Sequence, residues 1–438
     1  MAITSIANYG YSSNQLKSVQ SFQTDWIAWL YLSSALIHIS NRKYEELMKL
    51  PGQIGDTVTF VRAPQKRVVE GSLAVNYTQT NQEYLTLAID KKATIGFNFT
   101  QLEEYFNVGK TDWAEVAKEA CAIEVGMNLE AKLGLEILNT YRFYGSWSVA
   151  NGVSTISPTN SILQLSEAMA EFKAYGSSSI DLYGVLPHDM YPQITASGLK
   201  EFALNRNNSL SDYSWDKATY AGCEWTEAIS TLPIHEAGIA GKTGTELTVQ
   251  SVVVDSAGLC TQIVCSGLGT TTGAIKKNDV MVFVDGVSGL SNIRYLTYGG
   301  HLPSSAKVQM RAIADADSAS DVLTITISEP LCWDPTSNKY NVTTPVVPGM
   351  KISVAPDHRA GVILSGKCLY FAMPPAIQKV KPYTGSTITD KDTGLSMTMI
   401  EGMALNDPNL SYMYHIPYVY GTSIEPRNAM RFLCPVTP

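Results

Sequence analysis

The stretch TDWAEVAKEACAIEVGMNLEAKLGLEILNTY, from Thr111 to Tyr141, carries the strongest helical pattern in the sequence. Its apolar residues recur every three or four positions in two rows, the first being Trp113, Val116, Ala120, Ile123, Met127, Ala131 and Leu135, and the second Val125, Leu129, Leu133 and Ile137. The spacing predicts one amphipathic helix that ends near Thr140, is roughly 40 Å long and buries both rows. Gly126 and Gly134 each cost about 1 kcal/mol inside a helix relative to alanine, so we expect close backbone packing at both.

Two alternating runs precede this helix. GDTVTFVRAP alternates from Asp56 to Arg62, and YLTLAIDKKATIGFNFT alternates from Tyr84 to Thr100. The pattern predicts two long strands joined by a polar tip. Because an isolated hairpin is marginally stable in water, we expect this one to lie on another surface.

The N-terminal part contains the apolar run WIAWLYLSSALIHI, from Trp26 to Ile39. Fourteen residues are too few to span a bilayer and favour a buried or interfacial helix. The first residues lack the basic and apolar regions of a signal peptide. We therefore expect a soluble protein that is made inside the cell, with residues 1–50 forming an arm that buries Trp26 and Trp29 against a partner surface.

After residue 160 the sequence pattern predicts one helix and then a series of strands. SILQLSEAMAEFKAYG (161–176) predicts a helix capped by Gly176. Five alternating runs then follow between residues 243 and 345, separated by turn residues: TELTVQSVVVD, LCTQIVCSG, NDVMVFVDGV, AKVQMRAIA and SDVLTITISEPL. They predict a small antiparallel barrel or sandwich inserted into an α/β segment.

Within LCTQIVCSG, Cys260 and Cys265 are five positions apart, so regular alternation places them on opposite faces.

A Gly-Lys-Thr triplet lies just before the insertion, in HEAGIAGKTGT (His235–Thr245). A phosphate-binding loop needs a glycine five positions before Gly241, but that position is Glu236. The following residues have a strand pattern where a nucleotide site needs a helix. The stretch is therefore interpreted as a glycine-rich connector, or hinge, into the insertion.

Composition excludes several classes of protein. Charged residues make up 16% of the chain, below the usual quarter, which favours large neutral surfaces such as subunit contacts. The net charge of −8 argues against a surface that grips nucleic acid. The seven cysteines have irregular spacing without a Cys-x-x-Cys pair, so we expect reduced, mostly buried thiols and no zinc site.

Residues of catalytic type do not form a recognisable motif. His188 stands beside Asp189 and His358 beside Asp357, but neighbours in sequence usually point apart. Glu103 and Glu104 are adjacent carboxylates, and such doublets are commonly solvated. We predict no catalytic, cofactor-binding or metal-binding residue.

The order of segments now becomes specific: arm, β-flap, long helix, α/β segment, inserted β domain, returning strands. It resembles the major capsid proteins of tailed bacteriophages with the Hong Kong 97 fold, and more narrowly the coat proteins of short-tailed phages with an inserted telokin-like domain. Three stretches carry the local sequence resemblance to this family: AGCEWTEAISTLPIHEAGIAGKTGTELTVQS (221–251), TTGAIKKNDVMVFVDGV (271–287) and GLSMTMIEGMALNDPNLSYMYHIPYVYGTSIEPRNAMRF (394–432).

The resemblance implies an α+β fold in five segments. These are an N-terminal arm (1–50), an E-loop hairpin (51–100), a peripheral domain with the spine helix and the first part of the axial domain (101–242), an inserted β-barrel (243–345), and the rest of the axial and peripheral domains (346–438). The inter-subunit contact candidates are Trp26, Trp29, Arg62, Glu70, Lys91 and Lys92.

The same resemblance implies a structural role without a cofactor. Copies would form pentamers and hexamers, with a scaffolding protein and a portal, in an icosahedral shell that encloses double-stranded DNA without reading its sequence. The shell would assemble in the bacterial cytoplasm and would not contact a membrane. Two alternatives stay open: another phage structural or encapsulating-shell protein, or a β-rich enzyme whose acids would be Glu103, Glu104 or Asp189.

Overall fold

The computed structural model describes residues 19–42, 57–62, 83–99, 113–157, 162–176, 181–188, 190, 218–228, 232–297, 301–366, 368–375, 384–390, 394–403 and 412–436. The described helices are α1 (Val19–Leu32), α2 (Ala35–Ile39), α3 (Trp113–Ile137), α4 (Ile162–Ala174) and α5 (Ile239–Thr243). The first ten strands are β1 (Thr57–Val61), β2 (Tyr84–Ala88), β3 (Lys91–Phe99), β4 (Phe143–Tyr144), β5 (Trp147–Ala150), β6 (Val153–Ile156), β7 (Leu182–Leu186), β8 (Ala218–Tyr220), β9 (Cys223–Glu227) and β10 (Ile234–His235).

The next ten strands are β11 (Leu247–Val254), β12 (Cys260–Ser266), β13 (Thr271–Ile275), β14 (Val280–Phe283), β15 (Arg294–Leu296), β16 (Pro303–Lys307), β17 (Gln309–Arg311), β18 (Ala316–Ser318), β19 (Leu323–Leu331) and β20 (Lys351–Val354). The last six are β21 (His358–Ser365), β22 (Leu369–Ala372), β23 (Thr384–Thr389), β24 (Ser396–Met403), β25 (Tyr412–Ile424) and β26 (Ala429–Cys434). A 3-10 turn at Pro426–Asn428 links the final two strands.

The chain divides into two compact units. The first comprises Met1–Phe60, Thr86–Leu133 and Leu369–Ser423. It contains a five-stranded sheet in the order β22-β25-β24-β23, with β3 paired along the length of β25. Helix α1 packs on β23 and β24 and buries Trp26 and Leu30 completely.

The second unit comprises Val61–Leu85, Gly134–Cys368 and Ile424–Pro438. Its seven-stranded sheet has the order β4-β26-β21-β7-β9-β8, with β10 beside β21. The chain leaves this sheet after β10 and returns to it at β21. Helix α4 buries Leu165, Met169 and Phe172 in the core shared with this sheet.

Strands β11 to β20, which we call the β insert, occupy the sequence between those two points. A six-stranded sheet in the order β17-β14-β20-β11-β12-β19 is its main element, and the all-β insertion predicted from alternation is confirmed. Its core is continuous and apolar, with Leu247, Ile263 and Met281 fully or almost fully buried. The predicted α+β class is thereby confirmed. The five segment boundaries stay a prediction.

The flap strands differ from the prediction at one point. The run from Tyr84 to Thr100 was expected to be one strand, which is wrong: β2 pairs with β1, whereas β3 pairs with β25. The break lies at Ile89 and Asp90. The backbone beside this break packs closely against β25, because a Cβ at Gly421 would lie only 2.5 Å from the carbonyl oxygen of Ala88.

The long helix is confirmed, but the prediction of its first buried row is wrong. Met127 and Leu135 of that row are 42% and 48% exposed, whereas the second row, Val125, Leu129, Leu133 and Ile137, is buried. The buried stripe turns towards Gly126 and Gly134, where an added Cβ would overlap the side chain of Ser33 or lie 2.7 Å from Cδ of Pro233. The predicted close packing at both glycines is thus confirmed.

The two cysteines of β12 also differ from the prediction. Cys260 and Cys265 are both fully buried in the core of the β insert, so their expected placement on opposite faces is wrong. A register shift between Cys260 and Gln262 changes the alternation, as a β-bulge does. The expectation that the thiols are buried is confirmed, since all seven cysteines are free and buried.

Candidate assembly surfaces

A buried His–Asp pair lies where the chain enters the β insert. Nε2 of His235 is 2.7 Å from Oδ1 of Asp279, and the two side chains are 6% and 0% exposed. The backbone NH groups of Gly238 and Lys276 donate to Oδ2 of Asp279 at 3.1 and 2.8 Å. These bonds tie β10 and the start of α5 to the turn before β14, so the connector predicted to be a hinge contains a short helix and is pinned at its base.

A second buried group lies beside it. Nδ1 of His358 is 2.7 Å from the carbonyl oxygen of Pro356, and Nε2 is 3.1 Å from NH1 of Arg431. The proton is therefore on Nδ1, because Arg431 can only donate. Burial, together with the positive charge of Arg431, holds the pKa of His358 well below its usual value. His358 is a neutral acceptor.

Arg431 completes this arrangement. It donates to the carbonyl oxygens of Leu138 and Thr140, just after α3, and to that of Asn278 at 3.2 Å. Burial lowers the pKa of Arg431 to about 9, which still leaves it charged at neutral pH. A cation at the carbonyl oxygens of Leu138 and Thr140 suits the negative end of helix α3.

The geometry gives these histidines a structural role. His358 and its sequence neighbour Asp357 point apart as expected: Asp357 accepts from the NH of Ala237 at 2.7 Å. The His235–Asp279 pair joins residues 44 positions apart and has no motif around it, so sequence reasoning missed it. Glu103, Glu104 and Asp189 lie outside the described residues. Among the residues that are described, His, Cys, Asp and Glu do not cluster as a metal site would require.

The predicted contact residues occupy different places. Trp26 is fully buried within its own unit, while Trp29, on the same helix, is 40% exposed. Lys91 lies half-buried on β3 with its Nζ 2.5 Å from Oγ1 of Thr422, whereas Lys92 is exposed. Arg62 binds Glu425 at 2.6 Å within the second unit. Glu70 lies outside the described residues.

The exposed row of α3 is a further candidate surface. Met127 and Leu135 leave nearly half of their side-chain surface in contact with solvent, on a helix whose other face is packed. A single exposed apolar residue is ordinary, but two on one face of a long helix form a stripe. No described helix is long and apolar enough to cross a membrane.

Comparison with known proteins finds similarity in solved structures alone. Neither a protein-family model nor a curated protein matches the sequence. The chain is similar to the capsid of Ralstonia phage GP4, with 9% identity and a TM-score of 0.42 over 91% of this chain and 88% of that one. It is also similar to a chain of Mycobacterium phage Che8, with 10% identity and a TM-score of 0.38 over 91% and 90%.

A third similar structure is the capsid of cyanophage Pam1, with 10% identity and a TM-score of 0.38 over 89% of this chain and 87% of that one.

Proposed function

We propose that this chain is a major capsid protein, copies of which assemble into the icosahedral head shell of a tailed bacteriophage around double-stranded DNA. The observation that carries the proposal is the order of elements. A β1–β2 hairpin precedes the 25-residue helix α3, and a complete β domain interrupts one sheet between β10 and β21. This is the order of parts that the sequence resemblance implied.

Several features of the surface support assembly. Trp29, Met127 and Leu135 expose apolar area that contacts between copies would bury. A net charge of −8 weakens attraction to DNA phosphates, which suits a container for DNA. The chain acts by assembly and not by catalysis, and it needs no cofactor.

The proposed role also gives the shell assembly partners and a location in the host cell. Pentamers and hexamers form on a scaffolding protein around a portal, in the cytoplasm of the host bacterium, and the finished shell is the head of the virion. Trp29 and Lys92 are the contact residues we favour from the original six, because both are exposed. Trp26 is already buried inside the subunit.

Electron microscopy of the purified protein tests the proposal, first expressed alone and then with its neighbouring scaffolding gene. We expect closed icosahedral shells or tubular polyheads under at least one condition. A monodisperse monomer or small oligomer under both would overturn the proposal. Lys92→Glu should then lower the yield of shells while leaving the circular dichroism spectrum of the subunit unchanged. Lys277→Glu, at another exposed lysine, is the control.

A further inference from the structure

Six charged side chains from three separate parts of the chain meet in the second unit. One pair follows β1 and precedes β2, at the end of the two strands from which the tip loop leaves, which we call the hairpin root. One pair comes from the β insert, and one pair comes from the link between β25 and β26. We call them the root cluster: Arg62, Glu83, Glu329, Lys339, Glu425 and Arg427.

The hairpin root is bound on both of its sides. Nε of Arg62 lies 2.6 Å from Oε2 of Glu425, and the NH of Arg62 donates to the carbonyl oxygen of Glu83 at 2.8 Å. Glu83 accepts from NH2 of Arg427 at 2.8 Å and from Nζ of Lys339 at 3.2 Å. The two residues that flank the hairpin tip therefore each have a charged partner elsewhere in the fold.

Arg427 is the centre of the cluster. Besides Glu83 it binds Glu329 of β19, at 3.1 Å, so one guanidinium joins the hairpin root to the β insert. The side chains of Arg427 and Glu329 are only 10% and 12% exposed, which makes their electrostatic interaction stronger than that of a surface pair. Removing one partner of such a pair leaves the other charge buried and unpaired.

The cluster contains three acidic and three basic side chains. Burial alone would raise the pKa of Glu83, but Arg427 and Lys339 outweigh it and the pKa is lowered. Glu83 is therefore ionised at neutral pH. Each carboxylate lies next to at least one cation, and the arrangement is complete only when all three chain segments are present.

We propose that the root cluster is an electrostatic clamp that holds the root of the β1–β2 hairpin against the β insert and the β25–β26 link, and that loss of its charges releases the hairpin root while the β insert stays folded. Arg62 and Glu83 belong to the same compact unit as the β insert and the β25–β26 link. The inference concerns a single subunit and does not depend on the proposed function.

Hydrogen–deuterium exchange of the full-length, unassembled chain tests the clamp. Glu83→Gln and Arg427→Gln should each raise the exchange rate of amides in β1 and β2 by roughly tenfold, while amides of β11 keep their wild-type rates. The double variant should raise exchange by less than the product of the two single effects, because both substitutions remove the Arg427–Glu83 interaction. Exchange in wild-type β1 and β2 should also rise between 0.05 and 1 M NaCl.

Two further variants keep the test decisive. Lys339→Gln removes the most exposed member, so it should raise hairpin exchange by a smaller factor without disturbing the fold. Arg294→Gln breaks the Asp285 pair, at 2.6 Å in the same insert, and should leave hairpin exchange unchanged. Two results would overturn the proposal. One is that amide exchange rates in β1 and β2 of Glu83→Gln and Lys339→Gln stay within twofold of the wild type. The other is that the exchange rates in β11 rise as much as those in the hairpin.

Discussion

Arg431 is a buried side chain of the second unit that donates to several backbone carbonyls. Its guanidinium serves the carbonyls of Leu138, Thr140 and Asn278 and the ring of His358, with no exposure to solvent. Arg431→Ala would leave these acceptors buried without donors, so the free energy of unfolding should fall by about 3 kcal/mol or more. Urea denaturation measures the change.

The matched control for Arg431 is an arginine that is only partly buried. Arg294 pairs with Asp285 through two bonds of 2.6 and 2.9 Å, but both side chains are about a quarter exposed. Arg294→Ala should therefore cost less than about 1 kcal/mol. Equal costs for the two variants would show that the buried carbonyls find other donors.

His358 should make stability depend on pH. Its folded pKa is well below 6.5 because of burial and the positive charge of Arg431, whereas the unfolded chain has the ordinary value. Below about pH 6.5 the unfolded state binds a proton that the folded state does not, so stability should decrease as the pH falls from 6.5 towards the folded pKa. One such proton contributes a slope of about 1.4 kcal/mol per pH unit.

Thermal denaturation between pH 7.5 and 5 measures this contribution. His358→Gln keeps a neutral side chain that can accept from Arg431, and its stability should decline less steeply on acidification than that of the wild type. His188→Gln, at an exposed position, should keep the wild-type slope. Parallel slopes for wild type and His358→Gln would mean that the neutral imidazole is not responsible.

At the scale of elements, α3 is packed along a stripe of three small residues and one buried glutamate. Ala122, Gly126, Glu130 and Gly134 follow one another every four residues, and all four are buried. Glu130 accepts from the NH of Ala35 at 3.0 Å, at the start of α2, where a carboxylate suits the free NH groups. The stripe therefore combines close backbone packing with a capping interaction.

Alanine substitutions at the two glycines test this packing. In an open helix each change would add about 1 kcal/mol of stability. Here the added methyl group meets Ser33 at position 126 and Pro233 at position 134, so Gly126→Ala and Gly134→Ala should each destabilise by about 1–3 kcal/mol. Urea denaturation gives the sign; Asn128→Ala, on the exposed side of the helix, should change stability by less than about 0.7 kcal/mol.

The extent of each element could be predicted from the sequence better than its orientation. Periodicity predicts α3, ending three residues beyond its true end at Ile137, and alternation predicts the strands of the β insert. Two apolar rows on one helix do not reveal which row is buried, because partners distant in sequence decide it. Gly126 and Gly134 were the available signal, since glycine inside a helix indicates the face of closest approach.

The polar networks could not be predicted for a related reason. His235–Asp279 and Arg427–Glu83 join residues 44 and 344 positions apart, and neither pair has local spacing that distinguishes it from solvated charges. Arg62 was predicted to be an inter-subunit contact; the structure gives it Glu425 as a partner within the chain. An inter-subunit role for Arg62 stays a prediction.

At the scale of the whole molecule, the exposed row of α3 should matter for assembly and not for folding. Met127 and Leu135 are 42% and 48% exposed, so charged residues there meet little desolvation in the free subunit. In a shell, the same charges would be buried between copies without partners. The double variant Met127→Glu, Leu135→Glu should therefore keep the wild-type melting temperature within about 3 °C. Its yield of sedimenting shells should fall at least roughly tenfold, because a loss of about 1.4 kcal/mol per contact weakens each contact tenfold.

Asn128→Glu is the matched control, because it places one added charge on the exposed side of the same helix, beside Met127. It should assemble like the wild type if the apolar stripe makes the contact, since a charge at the edge of an interface costs far less than one at its centre. Sucrose-gradient sedimentation and electron microscopy of the same preparations separate lost assembly from lost folding. Normal shells from the double variant would place the subunit contacts elsewhere, whereas failure of both variants would mean that the contact surface extends around the helix to Asn128.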